Sequence, residues 1–204
     1  YARTKGEAER EVLLRIPTAT ILRPSIVFGP EDGFFNMFGG LSQVTPILPL
    51  VGGGKTRFQP VHVADVADAI AAATNTGTAQ GRTYELGGPS IYTFKELMQF
   101  IVKTVDKKRL LAPLPYLIAL PMGAITDFLF RFWPFAMPPI TGDQVEMLKS
   151  DNVVHSDSAV GTLQDLGVGP LETIEAIVPQ YMWRYRSAGQ FHIHEEDEVS
   201  RVDI

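Results

Sequence analysis

Hydrophobic and polar positions along the chain change period repeatedly, and the order of those periods predicts alternating helices and strands. Residues Tyr1 to about Leu14 read as a helix, which Pro17 ends. The stretch Thr20 to Pro30 is β-branched and apolar on both faces, the pattern of a strand buried in a parallel sheet. Pro24 has no N–H to give to a ladder, so this strand is expected to break there and to free backbone groups near its C-terminal end. Glu31 to Pro49 reads as a loop region rich in Phe, Gly and Pro, with a short apolar stretch from Phe34 to Leu41. Gly52-Gly53-Gly54 reads as a hairpin turn, and Phe58 to Val63 as a short strand. A helix from about Ala64 to Thr74 places Val63, Val66, Ala67, Ile70 and Ala71 on one stripe, with Asp65 and Asp68 off it. Gly81 to Leu86 is a further strand, and Thr93 with Glu96 forms a capping box that starts a helix to about Val105. Its stripe of Phe94, Leu97, Ile101 and Val105 faces a core.

The second half is less regular. Leu110 to Ile140 is apolar and aromatic, and its prolines forbid one continuous helix, so short helices are expected at Tyr116 to Leu120 and Gly123 to Phe132. Its Phe and Trp residues suit either a membrane interface or burial against protein. A second capping box at Thr141 to Gln144 starts a helix through Val145 and Leu148. Val160 to Leu166 reads as a short helix ending at Gly167. Pro170 suits the first turn of a last helix, with a break at Pro179. The fold class is therefore α/β: the C-terminal part of a Rossmann-type doubly wound parallel sheet with a smaller, mostly helical C-terminal subdomain. The expected division is 1–109 for the C-terminal half of a dinucleotide-binding domain, 110–189 for the helical, Pro- and aromatic-rich subdomain, and 190–204 for an acidic extended tail.

Composition narrows the function. A net charge of -5 offers no basic face to nucleic acid. Cysteine is absent, which removes disulfides, thiolate metal ligands and cysteine nucleophiles. No run reaches the roughly 18 uninterrupted apolar residues of a membrane-spanning helix. The chain opens inside a helical pattern with neither an initiator Met nor a targeting peptide, so it reads as the C-terminal part of a longer or split polypeptide whose upstream segment completes the fold.

Tyr1 and Lys5 lie four apart, on one face of a helix, where the ammonium favours the phenolate and lowers the phenol's pKa. Such spacing is common by chance, and the pair gains weight only from the Pro24-containing strand that follows. Together they offer an acid/base Tyr, a Lys able to reach ribose hydroxyls, and a strand end, Pro24, Ser25, Ile26 and Val27, with backbone groups for a carboxamide. That is a nicotinamide site seen from its downstream half. Gly52-Gly53-Gly54 lacks the GxGxxG spacing of a phosphate loop. His192 and His194 beside Glu195 and Glu196 do not complete a metal shell, His155-Ser156-Asp157 are too close in sequence to face one another as a triad, and His62 reads as a strand histidine.

Tyr1-x-x-x-Lys5, Arg23 to Pro30, Phe58 to Ala67 and Thr83 to Pro89 resemble the extended or atypical short-chain dehydrogenase/reductase superfamily. That resemblance implies an acid/base role for Tyr1, a ribose-holding role for Lys5 and a place beside the nicotinamide for Arg23 to Pro30. Glu31-Asp32, Gly53 to Val61, the Pro-rich aromatic segment, Leu163 to Gly167 and Val202-Asp203-Ile204 look, more narrowly, like the NAD(P)H-binding accessory subunits of respiratory complex I. This narrower resemblance runs nearly end to end. It implies a bound NADPH in a structural role, partners among the other complex I subunits and a peripheral place on the matrix side of the mitochondrial inner membrane. It also implies a phosphate loop upstream and a pair Tyr1/Lys5 that need not turn over. The alternatives are a free-standing epimerase, dehydratase or reductase of the same superfamily, and a non-catalytic redox sensor or assembly factor.

Overall fold

A computed structural model describes residues 2–75, 77–122, 142–155, 160–187 and 189. The strands are β1 (Ile21–Pro24), β2 (Val27–Phe28), β3 (Ile47–Val51), β4 (Arg57–Phe58), β5 (Val61–His62), β6 (Thr83–Leu86), β7 (Tyr92–Thr93) and β8 (Leu110–Leu114). The helices are α1 (Ala2–Arg15), α2 (Phe34–Val44), α3 (Val63–Asn75), α4 (Phe94–Thr104), α5 (residues 116–122), α6 (Gly142–Met147), α7 (Ile174–Ile177) and α8 (Pro179–Met182). Three strand pairs are parallel, β1 with β6, β2 with β5 and β3 with β8, while β4 and β7 run antiparallel. The predicted α/β class with parallel pairing is what the chain adopts.

The break at Pro24 occurs as expected. β1 pairs with β6 from Ile21 opposite Thr83 to Pro24 opposite Leu86. Past the proline the chain does not leave the sheet but changes neighbour: Ser25 N–H donates to the Leu86 carbonyl at 2.9 Å, and the next carbonyl, of Ile26, accepts from Val61 N–H at 2.9 Å. The expected single strand from Thr20 to Pro30 is thus two short strands with different partners. The same crossing needs close backbone approach. A Cβ on Gly88 would overlap the Pro60 carbonyl oxygen, so only glycine fits there.

Several expectations fail. The predicted loop Glu31 to Pro49 is mostly α2 and β3. Phe34, Phe35, Phe38 and Leu41 recur at helical spacing and all pack in the main core, and Asp32 Oδ1 accepts from Phe35 N–H at 2.5 Å and Asn36 N–H at 3.3 Å to start the helix. Gly39 and Gly40 hid that period. Gly39 sits where a Cβ would lie 2.7 Å from the Tyr185 ring, so the glycine serves packing rather than a turn. The glycine run 52–54 is not a hairpin. It is a tight turn of left-handed residues, with φ from 60° to 72°, and the strands it joins pair elsewhere, β3 with β8 and β4 with β7. The strand β8 itself lies in the stretch read as helical and aromatic, a parallel pairing 63 residues apart in register that no local signal announces.

The face of α3 also differs from the reading. The buried positions include Asp65 and Ala69, while Val63 and Ile70 are each about half exposed. Asp65 Oδ2 accepts the Glu172 N–H at 3.1 Å, which turns the polar side of the helix toward the 171–173 segment. The Thr93–Glu96 capping box is present in both directions, and Phe94, Leu97, Ile101 and Val105 are buried as read. Gly167 caps its turn in the left-handed conformation, φ 76°, but the helix before it is only the 3₁₀ turn Gln164–Leu166. Upstream of that turn, Gly161 is held extended by bonds to Thr83 O and Glu85 N–H along β6. Pro170 precedes rather than begins the last helix, whose N-cap is Thr173, and the break at Pro179 separates α7 from α8. The second capping box depends on Thr141, and the expected helix Gly123 to Phe132 and the tail 190–204 also fall outside the described residues.

The main core joins α2, α4, β3 and α8 through Phe35, Phe38, Leu48, Leu97, Ile101 and Met182. A second cluster beneath β5, β6 and α3 contains Val61, Ala69, Tyr84, Leu86 and Leu163. The end of β1 therefore sits where the two clusters approach each other, with Leu86 in the second cluster and Ile26 packed against the first.

Candidate functional site

Of the sequence-derived site residues, Tyr1 lies outside the described residues. Lys5 sits exposed on the second turn of α1. Pro24, Ser25, Ile26 and Val27 are brought together at the carboxyl end of β1, the position where open α/β sheets place ligands. Of the backbone groups at this break, Ser25 N–H and the Ile26 carbonyl are already bonded, because the chain switches partner instead of opening. Ser25 is buried, and its hydroxyl donates to Asn152 O at 2.8 Å and accepts from Gln59 N–H at 3.3 Å. Its hydroxyl ties the break to the 151–155 segment.

Asn152 separates two cavities of opposite character. On the Ser25 side a cleft of about 150 Å³ is lined by Arg23, Pro24, Glu85, Asp151 and His155 among others. On the Ile26 side a cavity of about 330 Å³ is walled by Phe34, Phe38, Phe58 and Phe94. Asn152 borders both, and its own backbone is used up by Arg57 O, Ser25 Oγ and Gln59 N–H.

The polar cleft has a charged rim that no local pattern in the sequence reveals. Arg23 Nε donates to Glu9 Oε2 of α1 at 3.0 Å and Nη2 to Glu9 Oε1, and Nη1 lies 3.7 Å from Glu85 Oε1. Glu85 Oε2 accepts from His155 N–H at 2.8 Å and lies 2.9 Å from His155 Nδ1. Burial pushes the Glu85 carboxyl up, but the two bonds from His155 and the charge of Arg23 together outweigh it, so Glu85 titrates below the usual glutamate range. Arg23 titrates above its usual value, chiefly because Glu9 bonds it. His155, which in sequence offered only a local His-Ser-Asp run, is thus partnered with a glutamate 70 residues away. The Arg23–Glu9 pair also links α1, which carries Lys5, to the strand that ends at the break.

A second polar contact holds the loop after β2. Tyr181 Oη of α8 donates to Asp32 Oδ2 at 2.5 Å while Asp32 Oδ1 caps α2. Burial raises the Asp32 carboxyl above its ordinary value against the pull of those bonds. Burial, and then the neighbouring carboxylate, raise the Tyr181 phenol far above its ordinary value, so it stays a donor at any physiological pH. Among the described residues no group of three or more His, Asp or Glu side chains is arranged to hold a metal ion, and the His192/His194 pair lies outside them.

No protein-family model matches the chain. Among solved structures it resembles gox2253, with a TM-score of 0.58 at 22% identity, covering 93% of this chain and 56% of that one. It also resembles DesIV, a dTDP-glucose 4,6-dehydratase from Streptomyces venezuelae solved with NAD and TYD bound, with a TM-score of 0.50 at 16% identity over 81% of this chain and 42% of that one. With the parallel strands, these likenesses define the fold as part of a Rossmann-type α/β domain. The sequence relatives are more specific. Subunit 9 of the NADH dehydrogenase [ubiquinone] 1 alpha subcomplex, mitochondrial, is 38% identical over 191 residues in Arabidopsis thaliana and 36% identical over 191 residues in Rattus norvegicus. The mitochondrial 40 kDa subunit of NADH-ubiquinone oxidoreductase from Neurospora crassa is 29% identical over 198 residues. These alignments take in 92%, 91% and 97% of this chain but 47%, 48% and 50% of the relatives, so the chain spans about half the length of the curated relatives it matches. Over that half, the chain is a homologue of these mitochondrial NADH dehydrogenase subunits.

Proposed function

We propose that the chain is part of an accessory subunit of respiratory complex I, the NADH:ubiquinone oxidoreductase, in which it holds a structural NADPH near the junction of the matrix and membrane arms rather than catalysing a reaction. The observation that carries this reading is the 38% identity to subunit 9 across 92% of the chain. Its partners are the other complex I subunits, and its place is peripheral, on the matrix side of the mitochondrial inner membrane. That no described helix is long and apolar enough to cross a membrane is consistent with a peripheral seat. The stretch 110–140 is the part of the chain proposed to contact the membrane arm or the lipid interface.

The cofactor is NADPH, and this chain holds its nicotinamide end. The residues present fit that end alone: a polar cleft of about 150 Å³ beside Pro24 and Ser25 matches one ring, not a dinucleotide. In this reading Tyr1 is the acid/base group of a pair that need not turn over, Lys5 holds the nicotinamide ribose, and Pro24 to Val27 lie beside the nicotinamide. The phosphates need a glycine loop that an upstream segment supplies, and that segment also packs on the outward faces of α1 and α3, where Leu14 is 65% and Ile70 50% exposed. Retention rather than turnover fits the Ser25 hydroxyl, already committed to Asn152.

Complex I purified from the source organism, digested and examined by mass spectrometry, is expected to contain this chain in a fixed ratio to the other subunits. Its absence from the pure complex overturns the assignment. Alkaline extraction of the same material is expected to release about one NADPH per chain. Extraction of NADH alone, or of neither nucleotide, refutes the cofactor reading while leaving membership intact.

A further inference from the structure

The apolar cavity beside Ile26 is built for a different ligand. Phe34, Phe38, Phe58 and Phe94 form its wall, with ring centroids 5.1 Å apart for Phe34–Phe38, 5.6 Å for Phe38–Phe94 and 6.5 Å for Phe58–Phe94. The pairs meet edge to face, so each ring is held by its neighbours and the wall is rigid. At about 330 Å³ the cavity falls within the usual size range of small-molecule sites, roughly 300–1,000 Å³. An apolar cavity of about half that size stays dry and takes up apolar molecules. Among the described residues lining it, Asn152 alone brings a side chain with strong hydrogen-bonding groups, and Asn152 also borders the polar cleft.

A sugar or a nucleotide would bury hydroxyls and phosphates against phenyl rings without partners, each unpaired group costing about 1–3 kcal/mol. An amphiphile with a hydrocarbon tail meets no such cost. We infer that this cavity binds the hydrocarbon tail of an amphiphile, fatty acyl or prenyl, with its polar head on the Asn152 side toward the cleft. The inference does not rest on the complex I assignment or on the cofactor.

The test uses the protein as isolated from its source and a dansyl-labelled undecanoic acid as fluorescent probe. Saturable binding is expected. Competing fatty acids from eight to twelve carbons are expected to bind about fourfold tighter for each added methylene, the value of burying one CH₂. Lauric acid and decylubiquinone as separate competitors distinguish an acyl from a prenyl source, and displacement by either supports the site. Met37 lines the cavity, and Met37→Trp fills it, so probe affinity is expected to fall at least tenfold with NADPH content unchanged. Met147, also on the lining and 44% exposed, gives a second variant that does not disturb the core: Met147→Asp places a charge there and is expected to weaken the probe similarly. No saturable binding, affinity unchanged in both variants, or displacement by UDP-glucose and by neither amphiphile overturns the inference.

Discussion

The Tyr181–Asp32 contact allows a stability prediction with a sign and a pH window. Tyr181→Phe removes one hydroxyl and leaves the ring, 4% exposed, in the main core. What is lost is one hydrogen bond to a carboxylate, about 1.5–3 kcal/mol when donor or acceptor is charged. Asp32 keeps the Phe35 and Asn36 amides, so its carboxylate is not orphaned, and the lower half of that range applies. The variant is therefore expected to be about 2 kcal/mol less stable at pH 8. The folded-state pKa of Tyr181 is raised, so the stability linked to its proton is fully present below the unfolded value near 10 and is lost as pH rises toward the folded value. Each pH unit above about 10 costs the native protein about 1.4 kcal/mol through this one group, and the Phe variant pays nothing. The gap between the two is expected to shrink by about 1.4 kcal/mol between pH 8 and pH 11. Tyr92 is raised as well, by burial first, but it contributes equally to both proteins and cancels in the difference. Urea unfolding of the full-length protein followed by circular dichroism at pH 8, 9, 10 and 11 measures the gap. A difference under about 0.5 kcal/mol at pH 8, or one that stays constant to pH 11, refutes the reasoning.

Three further outcomes follow from the same geometry. Gly88→Ala sets a Cβ against the Pro60 carbonyl oxygen and is expected to lower stability by about 3 kcal/mol, seen as a shifted urea midpoint with an unchanged slope. Glu85 has a folded pKa below its unfolded value, so its stabilisation is present above the unfolded pKa and lost as pH falls through the folded one. Thermal melts from pH 6 to pH 3 are accordingly expected to fall less steeply in Glu85→Gln than in the parent. Thr93→Ala removes one arm of the capping box of α4 and is expected to cost about 1 kcal/mol in a urea titration, with Thr93→Ser restoring most of it.

How much of this was readable beforehand depends on the range over which each cause acts. The α/β order, the break at Pro24, the capping box of α4 and the left-handed Gly167 all arise within a few residues, from a missing donor, a reciprocal pair of side-chain bonds or a backbone that tolerates positive φ. They are determined by sequence alone. The helix α2 was readable in principle from Phe34, Phe35, Phe38 and Leu41, but two glycines masked the period. The pairing of β3 with β8, the buried face of α3 and the network Glu9–Arg23–Glu85–His155 were settled only by tertiary structure, because each joins groups 14 to 107 residues apart whose local surroundings favour no partner. The site divides the same way. Local sequence placed Pro24 to Val27 at a strand end, and the fold alone decided that Asn152 would divide that end into a polar cleft and an apolar cavity, since burial is a property of the whole packed chain.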